Sequence, residues 1–366
     1  MVSFAGRDGR KAIDFLSGVR DACRAHGVPV GRGVARALSM YAFDAFSRKE
    51  ILGYGLFVPA IRQTMPVLIS KERSLAKLAA FNPPARQHLT EDKDEFHRVC
   101  VRHGLPVPKT FGWTRDGVPH DAEGRPLGSA EAWAHHLAAT LPREFIVKDR
   151  AGAYGSGFRA FERVGDRFVA AEDGTSLDAA ALVGLFAGPS GSDLIVQERL
   201  YDHQALASLS GRRGLQTARI NTLLAGDGRV EILFFMLKVL AGRTLSDNFS
   251  MGTTGNLIAF GDAEQGILRG AVTLHVCGSG MVRIDRHPQT GVAFDGFRLP
   301  WWREALDLVR RAQRCFPELA TLGWDVALTE AGPVIVEANA RWDPPSYAPF
   351  IMSPEHWRRI FGPGRS

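Results

Sequence analysis

Two carboxylates within one short stretch give the clearest chemical signal in this chain. The stretch Trp324-Asp-Val-Ala-Leu-Thr-Glu-Ala-Gly-Pro-Val-Ile-Val-Glu-Ala-Asn339 has the pattern of two strands joined by the turn Thr329-Glu-Ala-Gly332. Folded about residue 331, it sets Asp325 opposite Glu337, with both side chains on one face and roughly 5 Å apart at Cβ. Asn339 lies two residues further on and shares that face. Facing carboxylates among apolar strand residues repel each other unless a cation or a shared proton compensates. Asp, Glu and Asn offer hard oxygens, which suit Mg²⁺ or Mn²⁺ rather than zinc. A register slip of one or two residues would instead leave the acids solvated.

A second signal is a lysine running into glycines. Glu144-Phe-Ile-Val-Lys148 is short, β-branched and aromatic, as a strand should be, and Ala151-Gly-Ala-Tyr-Gly-Ser-Gly157 follows it. An ammonium group beside a turn carrying Gly155 and Gly157 suits nucleotide phosphates, because glycines let backbone N–H groups approach the oxygens. No Gly-Lys-Ser/Thr closes a Walker A loop, and Gly157 leads into a hairpin rather than a Rossmann helix. The bland alternative is a flexible turn beside an exposed lysine.

A third group is Arg219-Ile-Asn221 in the strand Thr217 to Leu224, with Lys238 on the neighbouring strand Val230 to Val239. Arg219 and Asn221 share a face, suited to a transferring phosphoryl group or to a surface ion pair. Lys238 sits among apolar residues, so it either snorkels or meets an anion. Asp247-Asn248 precedes Gly252 and Gly255 in a polar loop, which is either a phosphate loop or a simple turn. The four cysteines (Cys23, Cys100, Cys277, Cys315) are widely spaced, with no C-x-x-C, H-E-x-x-H or Cys/His ligand spacing. The sequence therefore predicts reduced thiols in a cytoplasmic protein and no zinc motif.

These residues need a framework. Residues 1 to about 88 read as helical, with Ile13, Phe15, Leu16 and Val19, then Val34, Leu38, Tyr41, Ala42 and Ala45, at helical spacing. Asn82-Pro83-Pro84 punctuates the chain, and a helix over about Asp92 to His103 stops at Gly104. Further helices are expected over Ser129 to Thr140, Leu177 to Phe186 and Trp302 to Phe316. Strands are expected at Phe158 to Arg163, Arg167 to Ala171 and Leu194 to Glu198, with a hairpin turn at Gly226-Asp-Gly228. The 366 residues carry a net charge of +6, from 45 basic and 39 acidic side chains, but only eight of the basic residues are lysine. The arginines are scattered among acids, which reads as a solvated surface rather than a nucleic-acid footprint. No apolar run is long enough to span a membrane.

The order of the pieces then carries a resemblance. Asp92-Lys93, Phe145-Ile-Val-Lys148, Val196-Gln-Glu198-Arg-Leu200, TARINT, DNFSMG, HPQTG and GWDVALTEAGPVIVEAN, taken together over about residues 90 to 345, resemble the ATP-grasp superfamily. The closer match is to its sugar-transfer-associated, alpha-L-glutamate ligase-like family. The resemblance implies an α+β ATP-grasp fold: two subdomains clasping ATP, with a helical N-terminal extension. The implied divisions are 1–88 helical, 89–142 as the start of the module, 143–205 as the lid subdomain, and 206–366 as the C-terminal subdomain with the metal site. It further implies that Lys93 and Lys148 contact ATP phosphates. Gln197, Glu198 and Leu200 would form the hinge along the adenine, partly through backbone groups, with Asp202 or His203 near the ribose. Arg219, with Lys238 and Asn248 close by, would stabilise the transferring phosphoryl group, and Asp325, Glu337 and Asn339 would hold Mg²⁺. The implied reaction activates a carboxylate as an acyl phosphate and couples it to an amine, in cell-surface polysaccharide or amino-acid conjugate synthesis. Kinase-type transfer and non-catalytic nucleotide binding remain alternatives, and the oligomeric state is open.

Overall fold

The computed structural model describes residues 3–63, 68–150, 158–186, 193–345 and 351–362. The chain opens with α1 (Ser3–Ala25), α2 (Val30–Phe43), α3 (Arg48–Tyr54), α4 (Pro59–Gln63), α5 (Lys71–Leu78), α6 (His88–Glu91) and α7 (Lys93–Arg102). It continues with β1 (Thr110–Arg115), β2 (Val118–Asp121), α8 (Ala130–Thr140), β3 (Glu144–Asp149), β4 (Arg159–Val164), β5 (Arg167–Ala170), β6 (Ser176–Leu177), α9 (Ala179–Phe186) and β7 (Leu194–Glu198). The remainder is α10 (Gln204–Ser210), β8 (Thr217–Leu224), β9 (Val230–Val239), β10 (Leu257–Asp262), β11 (Ile267–Leu274), β12 (Met281–Ile284), α11 (Trp302–Arg314), β13 (Thr321–Thr329), β14 (Gly332–Asn339) and α12 (Pro354–Phe361).

The strands form two antiparallel sheets, ordered β2-β1-β7-β3-β4-β5-β6 and β12-β11-β10-β9-β8-β13-β14. Because β1 lies beside β7, the first sheet bridges the segments 89–142 and 143–205. The second sheet packs its back on α7 and α11 through Phe96, Leu306, Val309 and Trp324. The apolar part of its front packs under α5 and α12 through Leu78, Phe234, Trp342 and Trp357. What the two helix layers leave uncovered on the front includes a polar stripe with Lys238, Asp325 and Glu337.

Local signals explain most element boundaries. Asp92 caps α7, accepting hydrogen bonds from the N–H groups of Asp94 (3.0 Å) and Glu95 (3.3 Å). Ser47 and Glu50 form a reciprocal capping box on α3. The N-terminal helices form where the spacing predicts them, but on a rotated face. Phe15, Val19 and Ala37 are buried, whereas Ile13, Leu38 and Tyr41 are exposed. Asn82, read as turn punctuation, is a fully buried anchor. Its Nδ2 donates to the carbonyls of Thr321 (2.6 Å) and Ala340 (2.7 Å), and its Oδ1 accepts from Thr321 N–H (3.1 Å). This ties the helical N-terminal part to the end of the β13–β14 hairpin.

Candidate active site

The β13–β14 hairpin brings Asp325 opposite Glu337, but not by the simple fold expected. Its turn is tighter by one register step, with Thr329 opposite Gly332, and Val326 consequently faces Ile335. A bulge at Val336 then restores the Asp325–Glu337 pairing. Side-chain alternation reports the same switch: Ile335 and Ala338, three residues apart, both enter the core behind the sheet. Without the bulge, Glu337 would point with Ile335 into that core. With it, Val336 and Glu337 both line the cleft in front.

Arg219 on β8 is the cross-strand neighbour of Asp325 on its other side. Its guanidinium grips the carboxylate with two bonds, Nε to Oδ1 at 2.6 Å and Nη2 to Oδ2 at 2.9 Å. Lys238 on β9 adds a third, Nζ to Oδ2 at 2.9 Å, so the lysine met an anion. Gly323 makes room for this arrangement. A Cβ there would sit 3.2 Å from Arg219 Cδ and 3.1 Å from both Asn221 Nδ2 and Trp342 Cβ.

The electrostatics divide the two carboxylates. Burial alone would raise Asp325, but the charges of Arg219 and Lys238 overcome it and hold Asp325 well below the usual carboxylate range. Glu337 is pushed up, first by burial and then by Asp325 beside it. Burial also pulls Lys148 down to about 8, against the attraction of Glu337 and with the repulsion of Lys93. Lys93 is likewise lowered by burial while Glu337 opposes the shift. Lys93 is held at the start of α7 by its N–H and its ammonium, both donating to Arg150 O (3.2 and 3.3 Å). Arg150 in turn bridges Asp92 (2.5 Å) and Asp193 (2.8 Å). Four cations therefore converge on two carboxylates.

These groups form one end of a cleft between the two sheets. Ile146, Leu200, Leu215 and Val336 supply apolar lining, and Lys148, Lys238, Asn248, Asp325 and Glu337 supply polar lining. An apolar slot continuous with an excess of positive charge has the polarity of a nucleotide. Asn248 reaches the cleft on a loop that sequence reasoning left undecided. The organiser of that loop, Asn256, was missed. It is fully buried, accepts from Ala241 and Gly242 N–H (3.1 and 3.0 Å), and donates to the carbonyls of Ser246 (2.8 Å) and Asn248 (3.0 Å). Gly242 permits this closure, since a Cβ would lie 1.9 Å from Thr254 O.

Other expected residues are placed elsewhere. Gln197 is buried and donates to Thr110 Oγ1 (3.2 Å), while Glu198 accepts from Lys109 N–H (2.8 Å), so both side chains serve the first sheet. Leu200 and Arg199 line the cleft at this hinge. Asp202 is turned inward. Both its oxygens accept from Gln216, at 2.8 and 2.7 Å, and burial pushes its carboxyl up to about 7. His203 caps α10, with Nδ1 accepting from Ala205 N–H at 3.1 Å. Neither lines the cleft, because both side chains are committed to the connection entering α10. Asn339 lies beside Glu337, its Nδ2 donating to Gly323 O (3.3 Å) and Glu337 Oε1 (3.4 Å). Gly155 and Gly157 fall outside the described residues.

The donor set fits a hard divalent ion. Two carboxylates and a carboxamide converge, and in the protein alone two basic side chains hold Asp325 down while burial and Asp325 push Glu337 up.

The sequence matches the model of the sugar-transfer associated ATP-grasp family over residues 73–346. No curated protein matches the chain. Among solved structures, the ATP-grasp ligase PsnB, complexed with a phosphomimetic variant of its minimal precursor, Mg and ADP, is 17% identical. That match covers 73% of this chain and 55% of PsnB, with a TM-score of 0.35. An ADP complex of N5-carboxyaminoimidazole ribonucleotide synthetase is 11% identical over 69% of this chain and 45% of its own, with a TM-score of 0.38. Biotin carboxylase from Campylobacter jejuni, as its β,γ-ATP complex, is 12% identical over 81% and 53%, with a TM-score of 0.42. The chain spans about half the length of these solved chains. With three quarters of its length matched by the family model, and with two antiparallel sheets clasping a cleft, the chain belongs to the sugar-transfer associated ATP-grasp family and has its α+β fold.

Proposed function

We propose that this protein is an ATP- and Mg²⁺-dependent ligase that activates a carboxylate as an acyl phosphate and couples it to an amine. The observation that carries the reading is the convergence of Lys93, Lys148, Arg219 and Lys238 on Asp325 and Glu337 at one end of an otherwise apolar slot. Positive charge beyond what two carboxylates neutralise suits a triphosphate, and Ile146, Leu200 and Val336 suit the face of a purine. Residues 206–366 would supply the metal site, with Asp325, Glu337 and Asn339 as ligands and Mn²⁺ as a possible substitute. Residues 143–205 would supply the lid.

In this reading Mg²⁺ held by Asp325, Glu337 and Asn339 would supply neutralisation of phosphate charge. Arg219 and Lys238 are already oriented by Asp325, so they stabilise developing charge without reorganising. Lys148 and Lys93 come from outside the second sheet and close on the phosphates from the opposite side. A closed cleft then excludes water, which protects an acyl phosphate from hydrolysis until the amine arrives. The family's association with sugar transfer supports a substrate in cell-surface polysaccharide or amino-acid conjugate synthesis.

The test is incubation with ATP, Mg²⁺ and pooled polar metabolites, followed by mass spectrometry. ADP and inorganic phosphate released in equal amounts with a new amide is the expected outcome. A product that retains the γ-phosphate would make the enzyme a kinase. No turnover, with ATP binding intact, would make it a nucleotide-binding protein.

A further inference from the structure

Outside the residues that line the cleft, the structure gathers three side chains of metal-binding type that sequence spacing hides. His26 lies between α1 and α2, while His275 and Cys277 lie in the turn between β11 and β12, about 250 residues later. One donor atom from each falls within 4.8 Å of the others. Cys277 Sγ is 3.0 Å from His275 Nδ1 and 3.4 Å from His26 Nε2, and the two imidazole centroids are 4.7 Å apart. Tetrahedral zinc, with Zn–N near 2.0 Å and Zn–S near 2.3 Å, would separate such donors by roughly 3.5 Å. Small movements would therefore open the cluster around an ion.

The frame that holds the three groups is already built. Ser279 Oγ donates to Leu52 O (2.6 Å) and Gly280 N–H to Gly53 O (3.1 Å), so the turn is docked on α3. Gly280 is needed there: its φ is +91°, and a Cβ would meet Ile61 Cδ1 at 2.5 Å. The three donor residues are half-buried, and Cys277 is a free thiol.

We propose that His26, His275 and Cys277 form a zinc site that staples the helical N-terminal region to the second sheet. Two imidazoles and one thiolate are a borderline-to-soft set that selects Zn²⁺ over the hard Mg²⁺ suited to the cleft. Three protein ligands leave a fourth position for water. Binding removes the Cys277 thiol proton to solvent and places the His26 proton on Nδ1, because Nε2, now 3.0 Å from Ser279 O, must offer its lone pair. This inference is independent of what the cleft catalyses.

The experiment is titration of the full chain with Co²⁺ in excess Mg²⁺, then displacement by Zn²⁺. The expected result is one equivalent of cobalt with a thiolate-to-metal charge-transfer band and the strong visible absorption of tetrahedral geometry, bleached by zinc. The band should vanish in Cys277→Ser, and His26→Ala should weaken zinc binding at least about tenfold. Zinc should also raise the melting temperature of the wild type and not that of Cys277→Ser. Absence of the band in the wild-type protein, which requires no variant to fold, overturns the proposal. So does a band that survives Cys277→Ser, or zinc affinity unchanged in His26→Ala.

Discussion

The two sides of the cleft handle buried charge in opposite ways. On the second sheet, Arg219 and Lys238 share Asp325 and form a closed set of hydrogen-bonded ions. Asp325 and Asp247 hold the Lys238 ammonium above its ordinary value even though burial opposes them. Lys148, facing it from the first sheet, is pulled down to about 8 by burial. One side is internally compensated. The other carries positive charge that its surroundings do not fully repay, and an arriving polyphosphate is the natural complement. Rigid charge thus sits on the platform, and unsatisfied charge sits on the part that meets it.

The largest expected effect tests the compensated side. Asp325→Asn removes the anion and leaves Arg219 and Lys238 packed together. Stability should fall by about 3–5 kcal/mol, measured by urea denaturation, and ATP turnover should be lost. Glu337→Gln is the control for the comparison. Burial and then Asp325 already raise Glu337 towards its neutral form, so the neutral substitute should change stability by less than about 1 kcal/mol while turnover is still lost. Equal destabilisation by the two substitutions would refute the division of roles.

The opposite side makes a pH prediction. The folded pKa of Lys148 lies below its unfolded value, so the unfolded chain binds more protons between about 8 and 10.5. Charge on Lys148 costs stability in full below pH 8, and the cost fades as pH rises towards 10.5. The wild type should therefore gain stability relative to Lys148→Met across that window, by an amount on the order of 3 kcal/mol. ATP binding should run the other way. Phosphates favour the ammonium form, so affinity should fall as pH rises through 8 in the wild type and not in Lys148→Met. Calorimetric titration with an unreactive ATP analogue at several pH values checks this.

The smallest effect lies where the two sides touch at the rim. Arg213 donates to Glu144 Oε2 at 3.0 Å and stacks 3.6 Å from the Tyr201 ring centroid, but its side chain is two-thirds exposed. Arg213→Ala should change stability by less than about 1 kcal/mol. A larger loss in thermal unfolding would mean that this rim contact is a main tie between the two sides.

Much of the framework was legible because local rules coincide with it. β7, β8 and β9 begin and end where alternation and the Gly226-Asp-Gly228 turn place them. Asp92 and Ser129 cap helices as their types suggest. Asp325 could be paired with Glu337, and Arg219 set beside Lys238, because hairpins convert sequence order into proximity; the pairing of β8 with β13 that joins the two pairs has no local signal. What was not legible depends on contacts between distant segments. The faces of α1 and α2 are set by what packs on them, so Ile13 and Leu38 point outward despite their spacing. The anchoring role of Asn82 needs Thr321 and Ala340 beside it. Asp202, expected near a ribose, is turned inward because Gln216 occupies both its oxygens. The His26 cluster joins residues for which no short motif exists.

The bulge at Val336 makes the hairpin sensitive to parity rather than to composition. Removing that one residue would keep Asp325, Glu337 and Asn339 in the chain, in order, on strands of nearly the same length. It would also remove the bulge and leave Glu337 next to Ile335, still opposite Asp325 and facing the cleft, whereas straightening the strand around a retained Val336 would exchange inside for outside, sending Glu337 into the core and Ala338 towards the cleft. A chain can therefore hold Asp325, Glu337 and Asn339 and still lack this arrangement, because four residues between Gly332 and Glu337 require the bulge where three would not. Relatives with one insertion or deletion between the turn and the second acid are best sorted by that count before any activity is assigned to them.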